Sequence, residues 1–249
     1  MAAGGNCGPV TFNVANGTYT EQVSIPAIIG ASAVNRVVFQ SASGDSSTVN
    51  LTYSSTVSTA NYTLLINGAS YVTFKKMTIS ATNATYGTVI AIAGTPASDS
   101  IAKCRLNGFA TSSNTTNHCL IYLNGTVPVG FTIYNNAFNN SSYGIYWYGN
   151  NSSAHTEGTT VLSNLFTNQY AYGWNSQYAD GLYFNKNIIT TNSTYTSFYG
   201  VYCYLTFMST RTPQLVGNKI TSTTSGYGAY MYYFPYSGSG GLIAGDGCG

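Results

Sequence analysis

Apolar residues recur along this chain in short runs separated by Gly, Asn, Ser and Thr, and no stretch shows the i, i+3, i+4, i+7 spacing of an amphipathic helix. Runs rich in Val, Ile, Tyr, Thr and Phe, punctuated by Asn-Gly, Ser-Gly and Asn-Asn, predict short strands joined by tight turns. The runs also repeat. Apolar segments ending at Ile66, Ile92, Leu123, Tyr148, Asn175, Tyr204 and Tyr232 are spaced by 26, 31, 25, 27, 29 and 28 residues. A second column falls half a repeat later, at Lys75-Lys76-Met77, Cys104-Arg105-Leu106, Asn136-Ala137-Phe138, Asn164-Leu165-Phe166, Asn187-Ile188-Ile189 and Asn218-Lys219-Ile220. Both columns share a period of about 28 residues, so each unit holds at least two strands.

A unit of that size cannot bury its apolar face alone, and stacking units one strand spacing apart makes a continuous core. The expected fold is therefore all-β, a parallel β-helix solenoid of about eight coils, with residues 9–235 as one domain between Gly-rich tails at 1–8 and 236–249. Val10 to Val14, Val23 to Ile25, Val37 to Phe39 and Val49 to Leu51 supply the first two coils. Asn136, Asn164, Asn187 and Asn218 are expected to form a ladder at a sharp corner. Asn tolerates the left-handed backbone such a corner needs, and its amide reaches the equivalent amide of the next coil. Independent loop asparagines are the other reading. No amphipathic capping helix is visible at either end.

Composition narrows the function classes. Charged residues are only 6% of the 249, against 27 Gly, 23 Tyr and 25 Asn, and the net charge is +2. Lys75-Lys76 is the only basic pair, too little to neutralise a phosphate backbone, so nucleic acid is excluded as a partner. Apolar runs such as Val89 to Ala93 are too short to cross a bilayer, and no membrane insertion is expected. Met1 to Gly5 has no basic or apolar leader region, as in a mature or excised piece. Five cysteines without CxxC spacing suggest neither zinc nor redox chemistry. Cys104, Cys119 and Cys203 read as small buried apolar residues. Cys7 and Cys248 sit at opposite ends of a solenoid about 38 Å long, so they are disulfide candidates between successive subunits rather than within one.

Gly17-Thr18-Tyr19-Thr20-Glu21-Gln22-Val23-Ser24-Ile25, then Val37-Val38-Phe39-Gln40-Ser41 and Tyr71-Val72-Thr73-Phe74-Lys75-Lys76-Met77-Thr78-Ile79, resemble the opening of right-handed parallel β-helix proteins of the pectin-lyase-like superfamily. More narrowly the chain resembles β-helix modules of large secreted surface proteins of Bacteroidetes. The resemblance covers about residues 8 to 235 and implies right-handed coiling and an extracellular or cell-surface setting. It also implies that Glu21 is a structural acid and that Ser100, in Asp99-Ser100-Ile101, is an O-glycosylation acceptor.

Enzymes of that superfamily acting on acidic polysaccharides need clustered carboxylates. The acids here are Glu21, Asp45, Asp99, Glu157, Asp180 and Asp246, and the repeat sets Asp99 and Asp180 three coils apart. His118 and His155 have no visible third ligand or orienting acid. The expectation is no catalytic residue, no metal, no cofactor and no enzymatic activity.

Tyrosines dominate the first column. Alternation along a strand leaves Tyr146, Trp147, Tyr148, Tyr202, Tyr204, Tyr230 and Tyr232 as a candidate surface. Such a surface packs on a partner, stacks on sugar rings or simply ties neighbouring coils together. The leading expectation is an extracellular structural module that self-assembles head to tail into a fibre or surface layer. A carbohydrate-binding or adhesive module, with polysaccharide as partner, is the rival. Eleven Asn-x-Ser/Thr sequons, among them Asn16, Asn61, Asn83, Asn124 and Asn192, are glycosylation candidates in a secretory setting.

Overall fold

In a computed structural model the chain winds into a parallel β-solenoid whose coils each carry three strands. The structure describes residues 5–151, 155–224, 226–233, 242–244 and 247–248, the last two segments as backbone only. Val10–Val14, Gly17–Thr20 and Val23–Pro26 make the first coil and begin three sheets. The first and second sheets stack nine strands each. The third stacks eight, with Thr156–Glu157 as an extra strand against Tyr172–Asp180. All pairings between strands are parallel, so equivalent residues of successive coils lie in columns about 4.8 Å apart. The 14 C-terminal residues, expected as a tail, instead contribute Leu242–Ala244 and Gly247–Cys248 to the ninth strands of the first two sheets.

Alternate columns fill the interior. Phe74, Ile101, Ile133, Val161, Phe184 and Leu215 line it from the first sheet. Leu51, Ile79, Leu106, Phe138, Phe166, Ile189 and Ile220 do so from the second, with Phe138 and Phe166 stacked at 4.4 Å. The second and third sheets come closest at a glycine column. A Cβ on Gly144 would stand 2.4 Å from the carbonyl oxygen of Gly173, and one on Gly173 2.6 Å from that of Gly200 and 2.9 Å from Ile189. The Tyr-Gly pairs that open the third-sheet strands are thus close-approach positions.

From the third coil to the eighth, the corner between the first two sheets is a single left-handed residue. Lys76, Lys103, Asn135, Ser163, Lys186 and Gly217 occupy it, with φ between 54° and 67°. The expected ladder residue is the next one along. Its backbone is free of the left-handed requirement, and its side chain turns inward. Asn136 Nδ2 donates to Asn164 Oδ1 at 3.0 Å, Asn164 Nδ2 to Asn187 Oδ1 at 3.0 Å, and Asn187 Nδ2 to Asn218 Oδ1 at 3.2 Å. The same oxygens accept the backbone N–H of the preceding ladder residue, and Asn136 Oδ1 accepts that of Cys104. Every buried polar group of this corner has a partner, which is what lets amides run inside the solenoid.

Candidate functional site

The third sheet carries the tyrosines. Strand pairing aligns Ile66, Ile92, Leu123, Trp147, Ser176, Cys203 and Met231 in one column and Leu64, Ile90, Ile121, Ile145, Trp174, Val201 and Ala229 in another. Both columns face inward, and Trp147 and Trp174 are fully buried. This corrects two expectations. Trp147 belongs to the core, not to the partner or glycan surface. The tyrosines align one residue away from the aliphatic positions with which the repeat had matched them, so the aliphatic coils also keep their apolar residues inside.

The outward columns read Tyr143, Tyr172, Tyr199 and Tyr227; then Tyr122, Tyr146, Asn175, Tyr202 and Tyr230; then Tyr148, Gln177, Tyr204 and Tyr232. Rings of one column stack nearly face to face: Tyr143 on Tyr172 at 4.8 Å, Tyr199 on Tyr227 at 4.8 Å, Tyr202 on Tyr230 at 5.0 Å and Tyr204 on Tyr232 at 5.0 Å. Edge contacts, such as Tyr199 against Tyr202 at 5.4 Å, join the columns. Stacking spends most ring faces on neighbouring coils, leaving ring edges and hydroxyls toward solvent. The last row, with Tyr227 53%, Tyr230 40% and Tyr232 42% exposed, has no ring stacked beyond it among the described residues, and Asn175 and Gln177 interrupt two of the columns beneath Tyr202 and Tyr204. Burial, and then neighbouring phenols, push the hydroxyls of Tyr146 and Tyr172 up to about 12 and raise Tyr199 and Tyr202 as well. The face is a field of neutral hydrogen-bond donors and acceptors.

A second cluster escaped sequence reading. Glu157 and Asp180 are Cα partners on adjacent strands, and His155 Nε2 lies 3.2 Å from Asp180 Oδ2. Phe207 stacks on the His155 ring at 4.7 Å, and Thr210 N–H donates to Asp180 Oδ1. Arg211 lies over Tyr183 at 3.6 Å and donates to the carbonyls of Gly181 and Thr159. Tyr178, a left-handed residue inside Tyr172–Asp180, turns the strand so that Asp180 is buried at its end. Among the described residues His155 Nδ1 is buried without a hydrogen-bond partner. The signal for this pairing was the one-coil separation of Glu157 and Asp180, hidden because both lie outside the two repeating columns.

The other singled-out residues scatter. His118 lies just before Cys119–Asn124, at the N-terminal end of a third-sheet strand, whereas His155 meets Asp180 at a C-terminal strand end; His118 Nε2 donates to Ala84 O at 3.1 Å. Burial lowers the affinity of His118 for a proton and raises the adjacent Cys119 thiol, which points at Thr116 O. Cys104 and Cys203 are buried, and burial pushes both thiols up to about 12. Cys7 is exposed, while the side chain of Cys248 lies outside the described residues. Among the sequon asparagines, Asn16, Asn124 and Asn192 are exposed. Asn61 ties coils together, accepting Thr88 N–H and donating to Asn117 O, Asn83 accepts the nearby Thr85 and Tyr86 N–H groups, and Ser100 is half-buried in a strand beside Thr73. Asp99 is buried, with Oδ1 accepting Val72 N–H at 2.7 Å and Oδ2 unpartnered. Burial pushes its carboxyl up to about 7, against the N–H of Val72 and the charge of Arg36.

No family model and no curated protein matches the chain. Among solved structures, the pectin methylesterase from Aspergillus niger matches over 99% of this chain and 79% of its own, at 12% identity and a TM-score of 0.52. A pectin methylesterase in complex with a hexasaccharide (10% identity, 97% and 85% of the two chains) and the Dettilon tailspike protein (14% identity, 96% and 54%) each match at a TM-score of 0.48. The fold is that of pectin-lyase-like right-handed parallel β-helix proteins. The expectation of no enzymatic activity, drawn from scarce acids, is corrected by the same finding, since this architecture is shared with an enzyme. At 12% identity the likeness shows the fold alone.

Proposed function

We propose that this solenoid is a module of an extracellular or cell-surface protein that stacks end to end with its own copies into a fibre or surface layer. The observation that supports the reading is the character of its two ends. Among the described residues Val10–Val14, Gly17–Thr20 and Val23–Pro26 are each paired on one side only, and Phe12, in an inward column, is 41% exposed. At the other end Tyr227–Tyr232 has one partner strand among the described residues. None of these four strands contains a charged residue. Soluble proteins usually blunt such edges with Lys, Pro, bulges or covers, because an unpaired strand templates another. A head-to-tail contact that does not close on itself grows as a filament. Within one chain Cys7 and Cys248 are separated by most of the solenoid, far beyond the roughly 4.4–6.8 Å between the Cα atoms of a disulfide, and we place them as a covalent link between successive copies.

Negative-stain electron microscopy with and without reductant tests this directly. Fibres that lengthen with concentration, and that Phe12→Lys shortens to single rods, are expected; monomeric rods at every concentration would overturn it. A second reading, polysaccharide binding along the third sheet, is favoured by the rows of tyrosine hydroxyls and by the part-exposed amide of Gln177 set among them. It calls for saturable quenching of tyrosine fluorescence by a soluble polysaccharide.

A further inference from the structure

The stacked phenols are also a place where covalent bonds can form. We propose that the terminal tyrosine pairs of the third sheet, Tyr199 with Tyr227, Tyr202 with Tyr230 and Tyr204 with Tyr232, are dityrosine cross-linking sites that weld the last two third-sheet strands together under oxidising conditions. The inference stands apart from end-to-end assembly, since both partners belong to one chain.

The geometry meets three requirements of the coupling. The rings are held together: centroids are 4.8 Å apart for Tyr199 and Tyr227 and 5.0 Å in the other two pairs, with interplanar angles of 13°, 7° and 9°. In-register parallel pairing of Tyr199–Phe207 with Tyr227–Tyr232 sets them side by side before any oxidant arrives, which replaces a random encounter by a local one. One member of each pair is reachable, because Tyr227, Tyr230 and Tyr232 are 53%, 40% and 42% exposed. The outer rings of Tyr227 and Tyr230 have no ring stacked on their far side among the described residues, while Tyr232 carries the Tyr233 ring edge-on at 4.7 Å; tilting an outer ring brings the two ortho carbons together. Tyr172, deeper in the ladder, lacks that freedom, being covered by Tyr143 on one side and Tyr199 on the other.

The chemistry balances with hydrogen peroxide as oxidant, delivered through a haem peroxidase. Each phenol gives up one electron to the peroxidase and its hydroxyl proton to water. The two phenoxyl radicals join through a new bond between ortho carbons. The two ring hydrogens at those carbons then leave as protons while the oxygens are reprotonated, restoring both aromatic rings. The pair has lost two hydrogens, and one hydrogen peroxide has become two waters. Edge and face contacts extend from the pairs through Tyr199 and Tyr172 to Tyr143, so a radical formed elsewhere on the face has ring-to-ring steps of 4.8–5.9 Å toward the exposed row.

Tyr134 supplies the internal control. It is 38% exposed, nearly as much as Tyr230, but has no aromatic ring beside it among the described residues. The test treats dilute native protein with horseradish peroxidase and hydrogen peroxide. It then reads blue dityrosine fluorescence and maps the linked peptides by mass spectrometry. The expected result is cross-links within single chains at Tyr199–Tyr227, Tyr202–Tyr230 and Tyr204–Tyr232, each lighter by two hydrogens. Most of the fluorescence should be lost in the triple variant Tyr227→Phe, Tyr230→Phe and Tyr232→Phe, which keeps the rings and removes the phenols. Cross-links spread over Tyr134, Tyr19 and Tyr86 in proportion to exposure, cross-links only between chains, or no dityrosine under conditions that couple free tyrosine would each overturn the proposal.

Discussion

Two ladders run through the C-terminal half of this solenoid with one period, an asparagine ladder inside a corner and a tyrosine ladder on a face. Their energetics differ in kind. Asn136, Asn164, Asn187 and Asn218 are at most 2% exposed, and each amide saturates backbone and side-chain groups of two coils. Taking one out strands buried polar groups, each costing about 1–3 kcal/mol. Apart from Tyr143, which is buried and donates to Asn114, the tyrosines are part-exposed, so losing one removes contact area and a ring pair worth about 0.5–1.5 kcal/mol without stranding a buried polar group. Periodicity in a solenoid therefore marks equivalence between coils without saying which column holds the fold and which is available for use.

The comparison is broken hardest at its centre. Asn164→Ala removes the acceptor of the Asn136 backbone and amide, and the donor to Ile133 O and Asn187, and should cost roughly 5 kcal/mol in equilibrium denaturation. Asp99 belongs to neither ladder and gives the next effect. Its carboxyl, raised to about 7 from 3.8, binds its proton more tightly folded than unfolded. The native state then holds the extra proton between about pH 4 and 7, and this contribution is full below pH 4 and lost as pH rises to 7. The loss approaches about 4 kcal/mol, and Asp99→Asn should flatten that part of the stability profile. On the face itself, Tyr202→Ala should cost about 1 kcal/mol by the same denaturation measurement. Smallest of all, Tyr202→Phe keeps the stack and should change stability by less than about 0.5 kcal/mol. A Tyr202→Ala cost as large as that of Asn164→Ala would collapse the distinction between the ladders.

Much of the fold was legible from particular residues. Ile66, Ile92 and Leu123 mark one coil each, and the Asn column marks the corner, because a parallel stack repeats its environment every coil. The site was less legible. An insertion between Tyr148 and Thr160 moves His155 and Glu157 outside both columns, so their meeting with Asp180 depends on a loop whose path the repeat does not describe. The position of Trp147 turned on a one-residue register, and with a side-chain period of two that offset exchanges inside for outside. The spread of the acids along the chain spoke against chemistry, whereas the architecture is one that an enzyme shares.

The sequence by itself determined the period, the strand content, the low charge and the columns, since these follow from local pattern and from the need of each coil to bury one face on the next. Only the tertiary structure decided which tyrosines stack and which are left at the edge, and that the left-handed corner residue precedes the amide it positions. It also decided that Glu157, Asp180 and His155 share one place. Those outcomes rest on register and on the path of irregular loops, where a shift of one residue or one strand spacing changes every contact while leaving the pattern of the chain untouched.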